Sequence, residues 1–289
     1  MKVALLTAGV IAVAPPVAAA AELRPDTAAA YERYISAFER RFEPEMQGRL
    51  SIERAPDETR RRLRAGEILS WAGSGDGILD LPDGLVHHWR GAAFIPDATL
   101  ADVLAVARDS ASYSRIYPWI VQSAIIGGER LTAPPTDRSR VRLRMKRRTR
   151  WVTTVVDLWA EVEYRYPSED RATASSNADC IREVENEGKR NERRLPVGQG
   201  GGYLWRANTY TAYLEREGGV YVDFHTVGLS RDFPPMLGWL IEPIARRIGR
   251  GSVTETLKEL RRAVVDPARQ PHGSEAAPAP PEPAWCGEG

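Results

Sequence analysis

With 289 residues, 43% of them hydrophobic and 27% charged, the chain has the apolar content of an ordinary packed core. Its 40 basic residues are balanced by 39 acidic ones, so no global charge draws it to nucleic acid or another polyanion. The two cysteines, Cys180 and Cys286, form neither a disulfide framework nor a metal-ligand spacing, and a buried thiol is the expected state of Cys180.

Lys2, the apolar run Val3–Val17 and the four alanines that follow have the layout of a secretory signal. They predict a signal peptide over 1–21, cleavage near Ala21, and export to the periplasm or beyond. The alternative is an uncleaved anchor, disfavoured because Pro15 and Pro16 interrupt a run short for a bilayer. Asp26 to Phe42 predicts a helix, since Tyr31, Tyr34, Ile35, Phe38 and Phe42 recur at three-and-four spacing. Thr59–Ala65 is a second, charged helical stretch. A strand over Ile68–Trp71 and the connector GSGDGILDLPDG complete an N-terminal appendage and linker over 22–83.

Leu85–Ile95 is the next strand, ended by Pro96-Asp97. Thr99–Arg108 then predicts a short helix, Ser110–Tyr117 a turn or second short helix, and Trp119–Ile126 a strand closed by Gly127-Gly128. Val141–Tyr166 reads as a long antiparallel hairpin, with Val141, Leu143 and Met145 alternating against Arg140, Arg142, Arg144, Lys146 and Arg148. A two-residue loop at Thr149-Arg150 places Leu143 opposite Val156, Val141 opposite Leu158 and Met145 opposite Thr154. The basic set then shares the other face with Asp157, Trp159 and Glu161. Arg138–Arg150 holds eight positive residues in thirteen. That ladder suits transient contact with an anionic membrane surface, or a solvated face paired with Asp157, Glu161, Glu183, Glu185 and Glu187.

A strand of small residues follows, Ala172, Ala174, Ala178 and Cys180, which leaves room above one face of the sheet. After a charged, Gly-rich connection, strands over Tyr203–Arg216 and Val220–Ser230 meet at Glu217-Gly218-Gly219. Trp205, Thr209, Thr211, Tyr213, Val222 and Phe224 are assigned inward; Arg206, Asn208, Asp223 and His225 are assigned outward. Pro234-Pro235 opens a closing helix with the apolar stripe Met236, Leu237, Leu240, Ile241, Ile244 and Ile248. Pro243 predicts a kink and Gly249 and Gly251 a break, after which Ser252 and Glu255 cap a last stretch. Residues 266–289 are Pro/Ala-rich and predicted disordered.

No HExxH, GxSxG, phosphate loop or paired-cysteine site occurs, so no metal, cofactor or catalytic residue is assigned. His87 and His88 are strand neighbours on opposite faces and are unsuited to sharing a metal. His87, Arg90, Tyr210 and Tyr213 are the acid/base candidates if the chain is an enzyme.

The order of elements, with GLVHHWRGAAFIPDATLADVLAVARD at 84–109 and GGVYVDFHTVGLSRDFPPMLGWLIEPIARRI at 218–248, resembles the START-like (SRPBCC) superfamily over 84–265. The second passage is similar to exported bacterial members of unassigned function. The resemblance implies an α+β helix-grip fold: an antiparallel sheet of six to seven strands wrapped around a long C-terminal helix, with two short helices after the first strand and an extra N-terminal helix. It also implies a cavity for a lipid-like or other hydrophobic small molecule. Trp89, Arg90, Leu143, Met145, Val156, Leu158, Trp205, Thr209, Thr211 and Phe224 would line it, under a lid of Leu237, Leu240, Ile241 and Ile244. A carrier or sensor is the first expectation. A cyclase/aromatase-type enzyme and a structural envelope protein with a filled core are the alternatives.

Overall fold

The computed structural model describes residues 21–132, 135–148, 153–232 and 238–266, and for 238–244 the backbone alone. The signal-peptide and tail expectations therefore lie outside the described residues, as does Leu237.

A two-residue strand, β1 (Ala21–Glu22), leads into helix α1 (Pro25–Met46) and the short α2 (Asp57–Arg64). Strands β2 (Leu69–Ala72), β3 (Ile78–Leu81) and β4 (Gly84–Pro96) follow. Thr99 then starts α3 (Leu100–Arg108) through a capping box with Asp102, and α4 (Tyr113–Ile116) adds one more turn. Next come β5 (Ile120–Thr132), β6 (Pro135–Arg148), β7 (Thr153–Ser168) and β8 (Arg171–Glu185). The two-residue strands β9 (Arg193–Arg194) and β10 (Gln199–Gly200) precede β11 (Arg206–Arg216), β12 (Gly219–Arg231) and helix α5 (Gly238–Val265). The main sheet runs β2-β4-β12-β11-β8-β7-β6-β5, with β3 also on β4 and β9 on β8. All of its pairings are antiparallel.

Helix α5 packs on β4, β2 and β12 at one end of this sheet. Yet Arg147, near the end of β6, reaches Ser252 and Glu255 of that helix at 3.0 Å each. In a flat sheet five strand spacings, about 24 Å, would separate β4 from β6. The sheet must curl around the helix for the contact to exist. This is the helix-grip arrangement, an α+β fold of one large antiparallel sheet and a C-terminal helix.

On the α5 face, Trp89, Ala93 and Ile95 of β4 join Val103, Ile116, Tyr164 and Tyr213 beneath Val253, Leu257 and Leu260. On the opposite face, Tyr31, Ile35, Phe38 and Phe42 of α1 cover Val86, Tyr210, Val227 and Leu229. Beyond α1, Leu50, Ile52 and Leu63 pack on Ala92, Phe94, Leu214 and Tyr221. The residues before Gly84, expected to be an appendage, thus supply two strands to the sheet and the cover of one face.

Other expectations change in detail. The hairpin register is offset by two, with Leu143 opposite Leu158, Val141 opposite Ala160 and Met145 opposite Val156. An even offset leaves every side chain on its expected face. Strand β5 continues through Gly127-Gly128 to Thr132. Cys180 faces away from α5 and is disulfide-bonded, not a thiol. A register shift between the Trp159 and Glu161 pairings inserts one extra residue in β8, so Ala178 and Cys180 point to opposite faces.

Helix α5 is continuous through Gly249, Gly251 and Ser252. Gly249 is there because of packing: a Cβ at this position would stand 2.2 Å from Trp89 Nε1, whereas one at Gly251 would meet nothing within 4 Å. Gly249→Ala is therefore expected to lower stability by about 1–3 kcal/mol through overpacking. Gly251→Ala is expected to raise it by up to about 1 kcal/mol through helix propensity. Chemical denaturation of both variants tests the assignment, and stabilisation by both would restore the reading of these glycines as helix breakers.

Candidate functional site

Away from α5's packed half, the middle of the α5 face of β6, β7, β8, β11 and β12 carries apolar and hydroxyl side chains, with Asp137, Arg147 and Glu183 toward its ends. Leu143 lies opposite Leu158, and Met145 opposite Val156. Thr209 lies opposite Ser176 on one side and Thr226 on the other, and Thr211 pairs with Phe224. Val141, Val156, Leu158 and Ala160 are buried. Leu143, Met145, Val162, Ser176, Thr209, Phe224 and Thr226 are only half-buried. The small residues Ala174, Ser176 and Ala178 make the floor of this strip shallow. A face that is apolar, partly wet and beside a long helix has the chemistry of a hydrophobic-ligand wall.

The expected lining divides across the sheet. Leu143, Met145, Val156, Leu158, Thr209, Thr211 and Phe224 share the α5 face as expected. Trp89 is on that face but sealed in the core, 2% exposed. Trp205 is a correction: it precedes β11, outside the alternation that assigned it, and packs beneath α1. Arg90 is a second correction, because strand alternation turns it toward α1, where its guanidinium grips Asp223. Leu240, Ile241 and Ile244 lie in α5, with side chains outside the described ones. The four acid/base candidates do not converge either. His87 and Tyr213 stand on the α5 face, Arg90 and Tyr210 on the other.

The face assigned outward is instead covered by α1, and its polar residues form one bonded chain. Tyr34 Oη lies 2.7 Å from His88 Nδ1, and His88 Nε2 lies 3.2 Å from His225 Nδ1. Phe38 and Phe42 close over the two imidazoles, with ring centroids 4.8 Å from His88 and 5.3 Å from His225. Arg90 donates from Nε and a terminal nitrogen to the two oxygens of Asp223, which is 3% exposed, and also to Ser51 Oγ at 2.6 Å. Ser51 N–H in turn donates to the Glu45 carboxylate at 2.8 Å. Burial holds His88 down to about 3, aided by the neighbouring His225 and by Arg41. Burial likewise lowers His225 to about 4, against the attraction of Asp223. On the other face His87, bonded to Ser230 Oγ at 2.8 Å, is lowered to about 4 by burial.

Among the described residues, most of the basic ladder is paired. Arg138 meets Glu163, Arg140 meets Glu161 and Lys146 meets Glu187. Arg142, Arg144 and Arg194 converge on Asp157, which is fully buried. Those three guanidiniums hold the Asp157 carboxyl below its usual range despite desolvation. Beside this ladder, a groove of about 610 Å³ runs between α1 and β5–β6, lined by Glu39, Arg138, Arg140, Glu161, Asn177 and Tyr210. Among the described residues, no group of three or more His, Cys, Asp or Glu could hold a metal ion.

No family model matches the chain, and no curated protein matches it. Similar solved structures are START/SRPBCC-type proteins. One is a STAR-related lipid transfer protein from Xanthomonas axonopodis, 18% identical over 65% of this chain and 99% of that one, TM-score 0.43. A START superfamily protein from Mycobacterium smegmatis is 11% identical over 62% of this chain and 97% of that one, TM-score 0.39. The Zhui aromatase/cyclase from a Streptomyces species is 13% identical over 62% of this chain and 96% of that one, TM-score 0.33. Likeness at this level says nothing of activity, which has to be argued from the site.

Three imidazoles lowered in the folded state give a pH dependence of defined sign. The unfolded chain binds protons near 6.5 that the folded chain refuses until about 4 or below. Stability is therefore full above about pH 6.5. It falls toward pH 4 with a slope of up to roughly 1.4 kcal/mol per pH unit for each imidazole. Urea titrations at pH 7.5, 6 and 5 test this, and His88→Phe with His225→Phe should flatten the slope.

Proposed function

We propose that this chain binds one lipid-like or other hydrophobic small molecule between the α5 face of its sheet and helix α5, and acts as its carrier or sensor. The observation that supports this is the uncharged, half-buried wall of Leu143, Met145, Val162, Thr209 and Phe224. Each Å² of such surface left wet forgoes roughly 25 cal/mol, which a ligand covering the wall recovers. The hydroxyls of Thr209 and Thr226, adjacent across β11 and β12, are placed to orient a polar end of the ligand. The Arg147 contact with Glu255 and Ser252 joins β6 to α5, so release requires that contact to open.

Export belongs to the same reading. The Lys2-to-Ala21 layout supports a removable leader, and a disulfide at Cys180 fits a compartment in which disulfides persist. Contact with an anionic membrane would be transient, since most of the ladder's described charges are already paired.

The test is a fluorescence titration with cis-parinaric acid. The chain is expected to bind about one molecule saturably, and Leu143→Asp and Thr209→Trp each to weaken binding by about tenfold or more, a change of roughly 1.4 kcal/mol. Both positions are half-buried, so the variants should stay folded. Absence of saturable uptake, or variants that bind like the parent, would refute the proposal.

A further inference from the structure

Ser176 of β8, Thr209 of β11 and Thr226 of β12 stand in one cross-strand row on the α5 face. At the usual strand spacing the row spans about 10 Å. All three residues are half-buried, and their hydroxyls have no hydrogen-bond partner among the described residues. Val162 of β7 flanks the row on one side and the buried Trp89 of β4 on the other. Along the strands its neighbours on this face are Ala174, Ala178, Ala207, Thr211, Phe224 and Gly228. None of them is charged.

The charged groups further along the face are already engaged. Asp137 accepts from Tyr166 and pairs with Arg108 and Arg130. Arg147 holds Glu255, Glu183 accepts the Gly201 and Tyr203 N–H groups, and Glu215 accepts the Leu100 N–H. His87, beyond Gly228, is bonded to Ser230 and kept neutral by burial.

We infer, resting on the binding reading above, that this row of hydroxyls selects a ligand whose polar end is uncharged and carries several oxygens, as in a glycerol ester of a fatty acid. Each hydroxyl both donates and accepts, so three in a row match the hydroxyl and ester oxygens of such an end. A wholly apolar ligand laid across them would strip their water and leave them unpaired. An ionised carboxylate or phosphate would lose its own water there with no cation beside it. A fatty acid therefore enters as its neutral form and must first take up a proton.

The test compares cis-parinaric acid with its glycerol monoester, which shares the same fluorescent chain, in titrations of the full chain at pH 6.5, 7.5 and 8.5. The three histidines of the sheet stay neutral in the folded protein over this range. At pH 7.5 the monoester is expected to bind about tenfold tighter than the acid, or more. The Kd of the acid should rise by up to about tenfold per pH unit, while that of the monoester stays constant. Thr209→Val with Thr226→Val, which keeps the side-chain shape, should weaken the monoester about tenfold. Those hydroxyls bond nothing described within the chain, so the urea midpoint should not fall. Equal, pH-independent binding of acid and ester, or a double variant that holds the ester as tightly as the parent, would overturn the inference and leave the binding reading standing. Saturable uptake of neither molecule would refute that reading and the inference with it.

Discussion

A strand with protein on both faces has nowhere to leave a polar side chain in water, and β4 is such a strand. Alternation sends Trp89, Gly91, Ala93 and Ile95 to α5, and His88, Arg90, Ala92 and Phe94 to the α1 side. Gly91 lets α5 approach: a Cβ there would sit 2.3 Å from Val253. The polar residues on the other side must then be satisfied from within. Arg90 takes both oxygens of Asp223, and the two imidazoles stay neutral and bond to each other and to Tyr34. Leaving any one of these buried groups without its partner costs on the order of a few kcal/mol. The network therefore fixes where α1 lies.

Moving along the sheet from β4 toward β5, the covering helices give out and the two faces diverge. The α1-side face becomes charged, yet its arginines are absorbed by Glu161, Glu163 and Asp157, so little net positive surface remains. The α5-side face stays apolar and half wet. The same curl that lets Arg147 reach α5 bends that face around the helix, and the proposed ligand would lie on it.

Face assignments were legible in the sequence wherever alternation was clean. Val141, Leu143 and Met145 against the arginines of β6 gave the correct sides, and an error of two in register did no harm because it preserves parity. Alternation failed where a strand is interrupted or has not begun: the bulge in β8 reversed Cys180, and Trp205 lies before β11. The docking of α1 was visible as an apolar stripe, but the face that receives it reads as polar, with Asn208, Asp223 and His225. Only a pairing of buried polar groups makes that face suitable, and such pairings join residues far apart in sequence, such as Ser51 with Asp223. Gly249 looked like a breaker because its Trp89 neighbour is likewise distant in the chain.

The most direct test of the ligand wall uses the methionines. Met145 stands half-buried on the α5 face, while Met46, the last residue of α1, is buried on the other. In the methyl-labelled protein, titration with a long-chain fatty acid should shift the Met145 resonance saturably and leave Met46 in place. A Met145 methyl that does not respond, or one that moves no more than Met46, would contradict the account.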